Sequence, residues 1–240
     1  MKCKIFKKRY LIPLCAVLIG SIILAAVWIS SALAQKKQDE MNREAYRNFY
    51  NSKLEQFSSE NPNYSEYEVD VAFIGDSLTE GYDLQANYPQ YVTLNRGIGG
   101  DKTYELLKRL KVSLYDLKPK AVVLLIGANN MSTMLQDYET ILQELKQNLP
   151  QTKVVILSLT AMGGEHWGPK NQLAAYNNVY IKILAKKYGY EFVDIYSVLF
   201  DVSIGEIYKS YTIDGGHLTP LGYSKITEQV TPVLKELLGR

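Results

Sequence analysis

Apolar positions along the chain change their spacing twice, and each change predicts a different element. Residues 11–34, LIPLCAVLIGSIILAAVWISSALA, carry no charged side chain and one proline. A helix needs about 20 such residues to cross the hydrocarbon core of a bilayer. From 36 to 60 the chain is polar, with apolar residues at Tyr46, Phe49, Tyr50, Leu54 and Phe57 in the i, i+3, i+4 recurrence of an amphipathic helix. Asn61-Pro62-Asn63 breaks that helix. Beyond it come short β-branched runs at 69–74 (VDVAFI), 121–126 (AVVLLI), 154–159 (VVILSL) and 192–195 (FVDI), with a weaker one at 91–95 (YVTLN). Runs of this kind, bounded by Gly, Pro or polar residues, read as buried parallel strands. Helix-like stretches separate them at about 101–111, 133–148, 170–188 and 220–238.

This alternation predicts a three-layer α/β/α sandwich with a doubly wound, flavodoxin-like, five-stranded parallel sheet, preceded by one N-terminal transmembrane helix. The expected organisation is a basic tail at 1–10, a membrane segment at 11–34, a membrane-proximal helical stalk at 35–64 and a single folded domain at 65–240. No internal repeat or second domain is apparent.

Charge sharpens the picture at the N-terminus. Lys2, Lys4, Lys7, Lys8 and Arg9 precede the apolar run, and no acidic residue lies among them. Of the 27 basic residues, 22 therefore remain against 25 acidic ones, so the folded part has no excess of positive charge that would suit nucleic acid. The basic flank predicts a cytoplasmic N-terminus and an extracellular folded domain on a single-pass membrane protein. Ala32-Leu33-Ala34 also fits a signal-peptide cleavage site, and cleavage after Ala34 would make the protein secreted. Both cysteines, Cys3 and Cys15, lie in or before the apolar run, which leaves the exported part without a thiol for disulfide, metal or nucleophilic chemistry.

In doubly wound sheets ligands bind beyond the carboxyl ends of the strands, so the loops that follow the strands hold the candidate chemistry. FIGDSLTEG places Ser77 directly after the first strand and at the start of a helix. There a hydroxyl is exposed and unpaired N–H groups can stabilise an oxyanion, although a simple helix cap would look the same. The chain has two histidines. His217, in TIDGGHLTPLGY, has Asp214 three residues before it, across two glycines, where a carboxylate can orient an imidazole; a turn leading to a cap at Thr219 is equally consistent. NRGIGGD at 95–101 supplies glycines for close backbone approach to an oxyanion, notably Gly100. It lacks the G-x-G-x-x-G spacing and the lysine-serine pair of nucleotide loops. Asn129 and Asn130, in LLIGANNMS, follow a central strand, where an amide can donate to the same oxyanion or make an ordinary turn. His166 and Trp167 are candidates for lining a substrate pocket, with a plain surface loop as the other reading.

Taken together, these four loops resemble the GDSL or SGNH hydrolases. Gly75-Asp76-Ser77-Leu78 is similar to the family's first block, Gly99-Gly100-Asp101 to the second, Gly127-Ala128-Asn129-Asn130 to the third and Asp214-Gly215-Gly216-His217 to the last. The resemblance spans about residues 69–238. It departs at Asn130, where the family usually has aspartate, and its variants look most like the branch of the platelet-activating-factor acetylhydrolase catalytic subunits. The resemblance implies a serine ester hydrolase with Ser77 as nucleophile, His217 as base and Asp214 orienting it. It implies an oxyanion hole from the N–H groups of Ser77 and Gly100 and the amide of Asn129, with Asp76 holding the turn, and it implies neither a metal nor an organic cofactor. The expected substrate is a small acyl ester, such as an O-acetylated glycan or a lipid, outside the membrane. An acyltransferase on the same triad and a non-catalytic surface binding protein are the alternatives.

Overall fold

The computed structural model describes residues 5–239, without the side chains of residues 5–19, 22 and 23. The described chain forms two compact units that divide between Ser52 and Lys53. Helix α1 runs Ile5–Glu60 and is shared between them. The backbone of the expected membrane segment at 11–34 lies within α1, and many of its side chains, those of residues 11–19, 22 and 23, lie outside the described ones. Among the described residues no helix is long and apolar enough to cross a membrane.

The second unit holds a five-stranded parallel sheet in the order β2-β1-β3-β4-β5, built from β1 Val71–Gly75, β2 Thr93–Gly97, β3 Ala121–Leu125, β4 Lys153–Leu157 and β5 Glu191–Val193. The short helices α2 Ser77–Glu80 and α3 Leu84–Asn87 follow β1, and α4 Thr103–Leu110 follows β2 and continues as a π-helical turn at Lys111–Tyr115. Then come α5 Leu135–Asn148, α6 Gly164–Trp167, α7 Asn171–Tyr188, α8 Tyr196–Leu199, a hairpin of β6 Phe200–Asp201 and β7 Glu206–Ile207, and α9 Pro220–Leu238. The expected three-layer architecture is the observed one.

Strand periodicity explains the layering. In β1, Ala72 and Ile74 face one core with Leu106 and Leu110 of α4, Ile141 and Leu145 of α5 and Ile181 of α7. Val71 and Phe73 face the other core with Ile226, Val230 and Leu234, an i, i+4, i+8 stripe on α9. Each of these side chains larger than alanine contributes about 1.5–3 kcal/mol when fully buried. The strand ends depart from those of the apolar runs by up to two residues, because pairing rather than hydropathy sets their limits. Val71–Gly75 is matched with Thr93–Gly97 on one side and Ala121–Leu125 on the other. Asp70, buried just before β1, accepts from Val92 N–H at 3.0 Å and pairs with Lys120 at 2.7 Å.

The expected domain begins at 65, and the second compact unit also takes in residues 53–64. Phe57 is 1% exposed and lies beneath the Arg96 guanidinium, 4.6 Å from its ring centroid. Arg96 also pairs with Glu60, and it donates to Asn61 Oδ1 at 2.9 Å while Asn61 donates to Val112 O at 2.7 Å. A fully buried guanidinium demands these partners, so the helix end is held to β2.

Candidate active site

β1 delivers Ser77 at the carboxyl edge of the sheet. Asp76 caps α2, its Oδ1 accepting from Leu78 N–H at 3.1 Å, and Ser77 is left half-buried at the start of the helix. Two glycines allow the turn to sit so close to its neighbours. A Cβ on Gly75 would stand 1.9 Å from Leu125 O, and one on Gly97 would stand 2.2 Å from Glu80 N.

The candidate base comes from 140 residues further along the chain: Ser77 Oγ lies 3.1 Å from His217 Nε2. His217 Nδ1 lies 2.8 Å from Asp214 Oδ2, so the aspartate selects the tautomer with the proton on Nδ1 and leaves Nε2 free to accept from Ser77. The loop that carries this pair closes on itself. Thr212 bridges Leu218, Ile213 N–H donates to His217 O at 2.9 Å, and Asp214 Oδ1 accepts from the N–H groups of Gly216 and His217 at 2.9 and 2.7 Å. Gly215, at φ +91°, lets the loop pack on Gly163, whose N–H donates to Gly215 O at 2.9 Å. Partial burial pushes the Asp214 carboxyl up, but the backbone N–H and imidazole of His217 and the N–H of Gly216 outweigh it. They hold it below the usual carboxylate range.

The glycine loop forms a type II turn at Ile98–Asp101, with Asp101 N–H donating to Ile98 O at 3.1 Å and Gly100 at φ +80°. Among the described residues no hydrogen bond engages the Gly100 N–H. Asn129 reaches the same loop and donates one amide hydrogen to Asp101 O at 3.0 Å, leaving the other unused. Asn130 accepts from Thr103 N–H at 3.3 Å and donates to Thr103 Oγ1 at 2.8 Å.

Trp167 joins the site, its ring edge-on to His217 at 5.9 Å between centroids and covered by Lys170 Nζ at 4.1 Å. His166 is exposed, its ring 5.1 Å from that of Trp167. No group of three or more His, Cys, Asp or Glu able to hold a metal occurs among the described residues.

Sequence reading missed Arg109 and Glu80. Arg109 and Asp101 form an ion pair at 2.7 Å with both side chains 0% exposed. Arg109 also donates to Arg96 O, Ser113 Oγ and Gly75 O, each at 2.9 Å, and so ties the ends of β1 and β2 to the glycine loop. Burial pushes the Asp101 carboxyl up to about 6, and the guanidinium pulls against that. One signal was present: Arg109 lies three residues after Leu106 and beside Leu110, on the apolar face of its helix. Asp76 is also fully buried, with Oδ2 unbonded, and burial pushes its carboxyl up to about 7 against the opposing pull of the Leu78 N–H.

A serine, a histidine and an aspartate hydrogen-bonded in line at the carboxyl edge of an open parallel sheet form a candidate hydrolase site in an α/β/α fold. The family described as GDSL-like Lipase/Acylhydrolase matches residues 73–225. The human platelet-activating factor acetylhydrolase IB subunit alpha2 is 34% identical over 181 residues, covering 71% of this chain and 78% of that protein. A solved structure from Streptococcus pneumonia, whose name carries the words platelet activating factor, superposes with a TM-score of 0.72 at 27% identity, covering 81% of this chain and 97% of that one. An acetylxylan esterase from Geobacillus stearothermophilus shares the fold with a TM-score of 0.58 at 19% identity, over 70% of this chain and 95% of its own. The chain belongs to the GDSL-like lipase/acylhydrolase family.

Proposed function

We propose that the protein releases short acyl groups from an ester through an acyl-enzyme on Ser77. Ser77 Oγ attacks the carbonyl carbon while His217 Nε2 takes its proton, and the collapse of the tetrahedral intermediate expels the alcohol, which receives that proton. Water, deprotonated by His217, then cleaves the acyl-serine bond and restores the enzyme. Asp214 holds the imidazole and stabilises its charged form, and the N–H groups of Ser77 and Gly100 with the amide of Asn129 receive the oxyanion. The observation that carries this reading is the unbroken Ser77–His217–Asp214 hydrogen-bond line of 3.1 and 2.8 Å.

Two features support a short acyl group. Trp167, pinned by Lys170, walls the His217 side of the nucleophile, and two relatives are named for removing acetyl groups. The substrate class we infer is an acetyl or similarly short ester on a glycan or lipid. We place the enzyme at the cell membrane with its domain outward. The charge-free run at 11–34 behind a basic flank supports this, as do the exposed Leu24, Val27, Trp28, Ile29 and Leu33, which suit a lipid environment better than water.

The full chain, solubilised in detergent, should hydrolyse p-nitrophenyl acetate faster than the butyrate and octanoate. Ser77→Ala and His217→Ala should each lose about 10³-fold or more in kcat. Equal rates for wild type and Ser77→Ala would remove the acyl-enzyme. A preference for octanoate would remove the short-acyl assignment.

A further inference from the structure

The turn at Ile98–Asp101 presents two consecutive amides, Gly99 and Gly100, beside the nucleophile, and only one of them is left free. Gly99 N–H donates to Glu80 Oε2 at 2.8 Å. The other oxygen of that carboxylate, Oε1, lies 2.6 Å from Lys53 Nζ, with both side chains about three-quarters buried. A Cβ on Gly99 would stand 2.9 Å from Glu80 Oε2 and 3.9 Å from Ser77 Cβ, so the carboxylate, the loop and the nucleophile are immediate neighbours. Glu80 belongs to the same helical turn as Ser77, its N–H donating to Asp76 O at 2.9 Å. A second set of bonds runs parallel to it: Asn95 donates to Thr79 O at 2.7 Å and accepts from Gly97 N–H at 2.9 Å.

We propose that Glu80 is a positioning residue for the oxyanion loop, with Lys53 of α1 fixing its carboxylate. By taking the Gly99 N–H, Glu80 determines that Gly100 supplies the free donor, and it joins that donor to the turn that carries Ser77. Lys53 orients Glu80 from the far side, so the end of α1 takes part in aligning the site. The inference rests on the catalytic reading given above. An oxyanion donor must lie where charge develops, and losing one outright costs about 10²–10³ in kcat. Loosening the loop while keeping the donor should cost less, about tenfold, and should act on kcat because the ground-state carbonyl uses the donor weakly.

The test uses the full chain with p-nitrophenyl acetate, with Ser77→Ala as the inactive reference and backbone amide exchange of the 98–101 segment as a readout independent of turnover. Glu80→Ala should lower kcat about tenfold with KM within about twofold, slow phosphonylation by a p-nitrophenyl phosphonate to a similar degree, and speed exchange at Gly99. Glu80→Gln, which keeps an acceptor for Gly99, should recover most of the rate. Lys53→Met should fall between them, and Lys53→Arg should restore it. A Glu80→Ala protein with wild-type kcat and phosphonylation rate, or one whose loss lies wholly in KM, would overturn the proposal. If wild type matches Ser77→Ala, the catalytic reading has failed, and exchange at Gly99 alone decides whether Glu80 holds the loop. Unchanged exchange there would overturn that as well.

Discussion

His217 is committed to one tautomer by a single contact, because Asp214 Oδ2 accepts from its Nδ1. Asp214→Asn would leave the shape intact and permit the wrong tautomer, so kcat should fall by about 10²–10⁴ with little change in thermal stability. The amide of Asn129 works at a distance from this pair, and Asn129→Ala should cost about 10²–10³ in turnover on p-nitrophenyl acetate. Asp76 makes a prediction about stability. Its carboxyl titrates near 7 in the folded protein, against an ordinary value of 3.8. Between those values the native state holds a proton that the unfolded chain has released, so this group's contribution falls as pH rises from about 4 to about 7. Asp76→Asn keeps an oxygen for the Leu78 cap and does not titrate. The stability difference between variant and wild type should therefore move in the variant's favour by at most about 4 kcal/mol over that window, measured by denaturant melts at pH 4, 5.5 and 8. Ser77, Asp214, His217, Gly100 and Asn129 were legible in the sequence because each sits in a short local pattern. Glu80 and Arg109 were not, since their roles depend on which backbone amides and carbonyls the fold brings beside them.

Element by element, the parallel strands were legible as apolar runs because burial on both faces removes the polar alternation that would blur them. Their exact ends were not, being set by register across β1, β2 and β3. The β6–β7 hairpin was missed because two residues per strand carry no periodicity. The junction of β1, β2 and α4 is held by Arg109, which meets Asp101, Gly75 O and Arg96 O with no exposure to water. Arg109→Met would leave the Asp101 carboxylate buried without its cation, and stability should fall by about 3–5 kcal/mol, read as a lowered Tm. Gly97→Ala would force a methyl to within 2.2 Å of Glu80 N and should displace the nucleophile turn, lowering kcat and Tm together.

For the whole molecule, the folded unit starts at Lys53, ahead of the 65 that the Asn61-Pro62-Asn63 break suggested. A chain beginning at 65 would lose Phe57, Glu60 and Asn61 and leave Arg96 without its ion pair. It should melt well below one beginning at 36, or fail to accumulate, as thermal melts of the two would show. The nucleophile and its base are 140 residues apart, and α9, the last helix, returns to the first turn through Tyr223, whose hydroxyl donates to Leu78 O at 2.9 Å. During synthesis, then, Ser77 leaves the ribosome long before any group exists to activate it. On the proposed mechanism, a nascent, stalled or clipped chain that stops short of His217 carries an inert serine, and esterase activity should arise only once the loop that carries His217 has been made.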